Sequence, residues 1–145
     1  MTEGLVFVNN VLIWRYRNLA SVFRIEKKNI TNPKEWFKNA WGRELSEAEI
    51  SETEDFYVFE DFSEELFMYS STENWVGIAG DNHLIFGCYS EDAIAAEFIE
   101  IQNGKCIREF RTYFDMPEDN ADIGEIPIFS SWVDVASFVD LNLLN

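Results

Sequence analysis

The chain has 145 residues, of which 47% are hydrophobic and 16% aromatic, and a formal net charge of −16. This length and apolar content predict one compact domain over residues 1–145 and exclude a disordered acidic tail. The charge disfavours nucleic acid and anionic membranes as partners and favours basic ones, and nothing approaches the roughly 20 apolar residues that span a bilayer.

Residues 5–8 (LVFV) and 11–17 (VLIWRYR) read as two short strands joined at Asn9-Asn10. A helix over 11–27 competes, because Leu12, Arg15, Tyr16, Leu19, Val22 and Phe23 recur at three-and-four spacing with cations near the end. The same N-terminal run lacks a preceding basic region and a small-residue cleavage site, so it is not a leader and the chain reads as cytosolic. Thr31-Asn32-Pro33 starts a helix running from Pro33 to Ala40 and ending at Gly42. Ser46 and Glu49 form a capping box for a short helical turn.

Phe56 to Phe59 and Leu66 to Tyr69 read as strands joined by a carboxylate-rich turn. Trp75 to Ala79 and His83 to Tyr89 read as a second strand pair around Gly80-Asp81-Asn82, with Gly77 and Gly87 marking close backbone approach or bulges. The clearest instruction follows: Asn103-Gly104 sits between two β-patterned runs and supplies the positive-φ pair of a type I′ hairpin turn. A two-residue loop sets Ile101 against Cys106, Ile99 against Arg108 and Glu97 against Phe110. One face then carries Ile99, Ile101, Cys106 and Phe110, and the other is mixed and half-exposed.

Asp115 to Gly124 reads as a turn-rich loop and Glu125 to Phe129 as a short extended piece. Ser130 or Ser131 caps a last helix whose Trp132, Val135, Ala136, Val139 and Leu143 share one face. The expected fold is α+β: a single, mostly antiparallel sheet of about five to seven strands, with two to three helices packed on it and a C-terminal helix among them.

The charge is segregated along the chain. Residues 1–43 carry net +5; residues 44–104 hold sixteen Asp or Glu and no Lys or Arg; residues 105–145 carry net −5. Segregation of this degree points to a basic macromolecular partner rather than to solubility alone. The alternative chemistries have weaker signals. Cys88 and Cys106 lack CxxC spacing and read as buried thiols. His83, the single histidine, reads as a structural residue at a strand end, with a hydrolase pairing it to a carboxylate as the competing class. Asp115, Glu118, Asp119, Asp122 and Glu125 miss the calcium-loop pattern, with Asn120 where that loop needs Gly. No cofactor or metal is expected.

The succession WVGIAG (75–80), EFIEI (97–101), Asn103-Gly104, REF (108–110) and GEIP (124–127) resembles small bacterial immunity proteins of polymorphic and contact-dependent toxin systems, over roughly residues 54–140. The resemblance implies a small, acidic, cytosolic and non-catalytic protein that binds a cognate toxin nuclease, often a basic one. The carboxylates point the same way: Glu60, Asp61, Glu64 and Glu65 are the first contacts expected, and Asp115, Glu118, Asp119 and Asp122 the second. An acidic adaptor for some other basic protein would use the same surface.

Overall fold

The computed structural model describes the backbone of residues 4–8 and 11–15 and the whole of residues 18–63 and 66–144. Strands β1 (Gly4–Val8) and β2 (Val11–Arg15) form a separate antiparallel pair. The main sheet contains β3 (Leu19–Glu26), β4 (Ile50–Glu52), β5 (Phe56–Glu60), β6 (Leu84–Ser90), β7 (Ala95–Gln102), β8 (Lys105–Tyr113) and β9 (Ala121–Ile123). All seven run antiparallel in the order β4-β5-β3-β6-β7-β8-β9. Helices α1 (Pro33–Trp41) and α2 (Thr72–Ala79) cover one face; α3 (Trp132–Phe138), prolonged by a π-type turn Val139–Leu143, covers the other. The α+β expectation, including the C-terminal helix, is what the chain adopts.

Local chemistry explains the elements that were readable. Asn32 caps α1 by accepting a hydrogen bond from the Glu35 amide at 3.1 Å, Pro33 occupies its first turn, and Gly42 ends it at φ 69°. The capping box at Ser46 and Glu49 forms around a single 3₁₀ turn, Glu47–Glu49. Gly87 lets α3 lie directly on the sheet: a Cβ there would stand 2.6 Å from Val139 Cγ2.

Several expectations are corrected. The helical reading of 11–27 fails, since Val11–Arg15 and Leu19–Glu26 are strands; Val22 and Phe23 are buried on opposite faces of a two-sided sheet, so an apolar run there needs no helix. WVGIA is the body of α2, not a strand: Ser71 caps it through a 3.1 Å bond from the Asn74 amide, and Trp75 and Ala79 bury together one turn apart. Gly77 consequently has open space around it rather than a close neighbour. Leu66 to Tyr69 is a succession of turns, with Tyr69 at φ 68°. The loop 115–124 contains β9, which pairs with β8, and 125–129 follows as irregular chain.

The hairpin turn forms with Asn103 and Gly104 at φ 53° and 75°, but its register holds for only two pairs. Ile101 faces Cys106; then Glu100 faces Arg108, Phe98 faces Phe110 and Glu97 faces Arg111. Ile107 is the extra residue of a β-bulge, and a one-residue shift exchanges the faces of everything beyond it. Without it Arg108 would oppose Ile99 in the aromatic core and Phe110 would oppose Glu97. With it, Phe110 joins Phe98 and Phe129 beneath α3. Neither face of the central strands is half-exposed: Phe98 and Ile99 are both fully buried.

Two apolar cores result. Phe23 is the hub of the first, with the rings of Trp36, Phe37, Phe59, Phe67 and Trp75 at 5.0–6.3 Å. In the second, Val135, Ala136, Val139 and Leu143 pack on Val22, Ile85 and Phe98. Arg108, 2% exposed, ties the irregular chain to β8: it donates to the carbonyls of Ile123 (2.8 Å) and Pro127 (2.8 Å) and to Asp122 Oδ1 (2.7 Å).

Candidate partner-binding surface

Toward the Asn103-Gly104 turn, the face under α1 and α2 is apolar; toward the opposite end it becomes polar. Ser21, Cys88, Glu97 and Arg111 are successive cross-strand partners on β3, β6, β7 and β8, and all four are buried. A fully buried carboxylate is tolerated only when it is paired and hydrogen-bonded. Glu97 accepts from Arg111 Nη1 at 3.0 Å, from the Tyr69 amide at 3.1 Å and from the Tyr113 hydroxyl. Arg111 also donates to Glu109 at 2.8 Å and to the Ser70 carbonyl at 2.9 Å. Burial, then the Glu97 charge, raises the Tyr113 hydroxyl above its ordinary pKa, and the same two causes raise the Cys88 thiol. Burial opposes the Arg111 charge, but its bonds to Tyr113 and Glu109 and the charge of Glu97 prevail and keep it protonated.

The network anchors the 66–71 segment across the sheet. Tyr69 is thereby held 59% exposed, stacked on Tyr113 with ring centroids 5.6 Å apart.

Strand direction decides where the carboxylates go. Because the sheet is antiparallel throughout, the end of β5, the β6–β7 turn and the end of β8 all emerge at the end of the sheet opposite the Asn103-Gly104 turn. That carboxylate end collects Glu60, Glu91, Asp92, Asp115, Glu118 and Asp119. Glu91, Asp92, Asp115, Glu118 and Asp119 are exposed and form no ion pair among the described residues. At the hairpin end, by contrast, Lys27 meets Glu52 at 2.6 Å.

Exposed apolar side chains stand within the same end. Phe114 is 69% exposed and Ile94 44%, and the Phe114 amide donates to the Ile94 carbonyl at 3.3 Å. Ile94, at φ 50°, and Tyr69 occupy the left-handed region, which costs non-glycine residues roughly 1–2 kcal/mol each. Two clefts flank Tyr69. The larger, about 340 Å³, includes Thr72, Glu109, Arg111 and Asp119; the smaller, about 140 Å³, includes Ser21, Met68, Cys88 and Ala93. Aromatic side chains ringed by charge resemble the centre and rim of a protein interface.

The residues expected from sequence divide into four groups. Glu60 stands half-buried at the carboxylate end, with Asp115, Glu118 and Asp119 exposed. Asp61 is withdrawn: it is 2% exposed, accepting from the Ser63 amide (3.0 Å) and the Leu66 amide (2.7 Å), so it shapes the turn instead of facing solvent. Asp122 is exposed but neutralised by Arg108. Glu64 and Glu65 lie outside the described residues. Sequence reading missed Tyr69, Ile94 and Phe114. Only the positive-φ positions distinguish two of them, and those are not readable from composition.

His83 Nε2 lies 2.7 Å from Glu100 and 3.3 Å from the Gln102 amide nitrogen, packed edge-on to Phe56. It lines neither cleft beside Tyr69. Both cysteines are free, Cys88 buried and Cys106 partly so. Among the described residues no group of three or more His, Cys, Asp or Glu is placed to hold a metal, and no helix is long and apolar enough to cross a membrane. Compared with family models, curated proteins and solved structures, the chain matches none.

Proposed function

We propose that this chain is a non-catalytic binding protein that neutralises a basic partner, in the manner of an immunity protein covering the nucleic-acid site of a cognate toxin nuclease. The observation carrying this reading is the set of carboxylates without ion pairs at one end of the sheet, five among the described residues, surrounding exposed Tyr69 and Phe114. Fixed negative charge beside rigid apolar anchors steers a cation-rich protein into register and then holds it. A nuclease groove built to hold phosphates presents such cations, so the carboxylates would occupy the places of the nucleic-acid backbone. Inhibition is then steric and electrostatic, and no bond changes in this chain.

The test is to recover the chain with its bound partner from its native host, identify the partner by mass spectrometry, and assay the partner's nuclease activity against increasing amounts of this protein. The reading expects a basic polypeptide whose nuclease activity falls to zero at stoichiometric addition. A basic partner without nuclease activity would make the chain an acidic adaptor instead. An acidic partner, or one bound equally well at high salt, would overturn the charge-based reading altogether.

A further inference from the structure

The larger cleft beside Tyr69 is negative although an arginine stands in its wall. Arg111 has five N–H donors, and the fold uses all of them: Nε donates to Glu109, Nη1 to Glu97 and the Tyr113 hydroxyl, and Nη2 to the Ser70 carbonyl and Thr72 Oγ1. None is left for an anionic ligand. The single charge of Arg111 is answered by two carboxylates, Glu97 and Glu109, so this group carries one negative charge in excess. Glu97 is out of reach, but the Glu109 side chain lines the cleft 14% exposed, and its Oε1 accepts no hydrogen bond among the described residues. Asp119, also on the wall, is exposed and without an ion pair among the described residues. Tyr69 completes the wall: Tyr113 covers one face of its ring, and with Tyr69 59% exposed the other face is open.

We infer that this cleft seats the guanidinium of one arginine side chain of the basic partner, stacked on the open face of Tyr69 with its N–H groups directed at Glu109 Oε1 and Asp119. The inference rests on the reading that the carboxylate end binds a basic protein, and it names the residue that anchors that interface. Guanidinium is favoured over ammonium because it is planar and weakly hydrated, stacks on an aromatic face and divides its donors between two acceptors. At about 340 Å³, the cleft stands at the lower end of the roughly 300–1,000 Å³ of small-ligand sites, which suits the end of one long side chain. A phosphate or carboxylate would meet two carboxylates and no free arginine donor. A second copy of this chain fits poorly, because it would bring a further net charge of −16 to a negative site.

The tripeptides Gly-Arg-Gly, Gly-Lys-Gly and the uncharged isostere Gly-citrulline-Gly, blocked at both ends, are titrated into the isotopically labelled intact protein at low salt and followed by NMR, with free arginine as a further probe. The arginine peptide is expected to shift the amides of Tyr69, Glu109 and Asp119 saturably, the lysine peptide to bind there at least about threefold more weakly, and the citrulline peptide not to saturate. Three variants, each shown to be folded by its own spectrum, locate the contact. Tyr69→Phe keeps the ring and should bind the arginine peptide within about twofold of the parent, whereas Tyr69→Leu and Asp119→Asn should each weaken it about three- to tenfold. The copurified partner should bind Tyr69→Leu at least about tenfold more weakly and Tyr69→Phe within about twofold. Shifts confined to other acids, equal affinity for the lysine and arginine peptides at the cleft, or a partner that binds Tyr69→Leu as tightly as the parent overturns the arginine seat and leaves the acidic interface standing. Free arginine binding the cleft more tightly than the blocked tripeptide overturns the seat in favour of a small molecule. No shift at the carboxylate end with either cationic peptide overturns the basic interface as well.

Discussion

At the scale of single residues, Glu97 bears the greatest consequence, because four neighbours depend on its charge. Replacing it by Gln keeps the shape and leaves the buried Arg111 charge with Glu109 as its remaining carboxylate, which is expected to cost about 1–3 kcal/mol in urea denaturation. Changing Glu97 and Arg111 together to Met is expected to recover much of that loss, since two well-packed apolar residues replace a desolvated pair. A double variant as unstable as Glu97→Gln would mean that the pair is not the source of the cost. The same network sets a pH dependence. The Tyr113 hydroxyl and the Cys88 thiol have folded pKa values above their unfolded ones, so their contribution is complete below the unfolded values and is lost as pH rises. Stability should therefore fall from roughly pH 8.5 upward, where free thiols and then phenols ionise in the unfolded chain. Urea midpoints across pH 7 to 10.5 would show the decline, and Tyr113→Phe with Cys88→Ala should flatten it. An unchanged slope in that double variant would place the alkaline sensitivity elsewhere.

At the scale of elements, the contact between α3 and the sheet depends on a missing side chain. Gly87→Ala sets a Cβ against Val139 Cγ2 and 3.2 Å from Leu143 Cδ1, and overpacking of this kind costs about 1–3 kcal/mol. If contact is the cause, Val139→Ala should make Gly87→Ala nearly neutral in the same background, a coupling of at least about 1 kcal/mol in a double-mutant cycle. Strict additivity would show that α3 has moved away from β6. This contact was half legible in the sequence: the spacing of Trp132, Val135, Ala136 and Val139 announced the helix, and Gly87 announced a close approach, while nothing local joined the two. Helix α1 was legible for a local reason, since Asn32-Pro33 and Gly42 supply both of its ends. Helix α2 was not, because WVGIA carries residues that favour strands; burial of Trp75 and Ala79 on one core overrides that preference. The bulge at Ile107 was hidden for a further reason: its position is chosen by which faces Arg108, Phe110 and Arg111 must reach, and that depends on helices far away in the chain. The candidate surface shares this difficulty, because Tyr69, Ile94 and Phe114 come from three separate segments and lie among acids whose grouping follows from strand direction.

At the scale of the whole molecule, the proposed binding of a basic partner raises the question whether net charge or its placement is responsible. Both ends of the sheet carry acids, so total charge can be held constant while position is varied. One triple variant, Glu91→Gln with Asp92→Asn and Asp115→Asn, neutralises the carboxylate end; another, Glu54→Gln with Asp55→Asn and Asp81→Asn, removes the same charge from the hairpin end. Association with the copurified basic partner would be followed by stopped-flow fluorescence, using the exposed aromatic residues as reporters. Steering depends on the local field, so at low salt the first variant should associate at least about tenfold more slowly than the parent, and the second within about twofold. The difference should shrink as salt shortens the Debye length to about 3 Å near 1 M. Dissociation should change less in either variant, because the apolar anchors at Tyr69 and Phe114 remain. Tyr69→Ala is expected to show the reverse pattern, with association nearly unchanged and dissociation faster. Equal slowing by the two charge variants would mean that the partner responds only to the overall charge of −16, and the carboxylate end would lose its claim to be the interface.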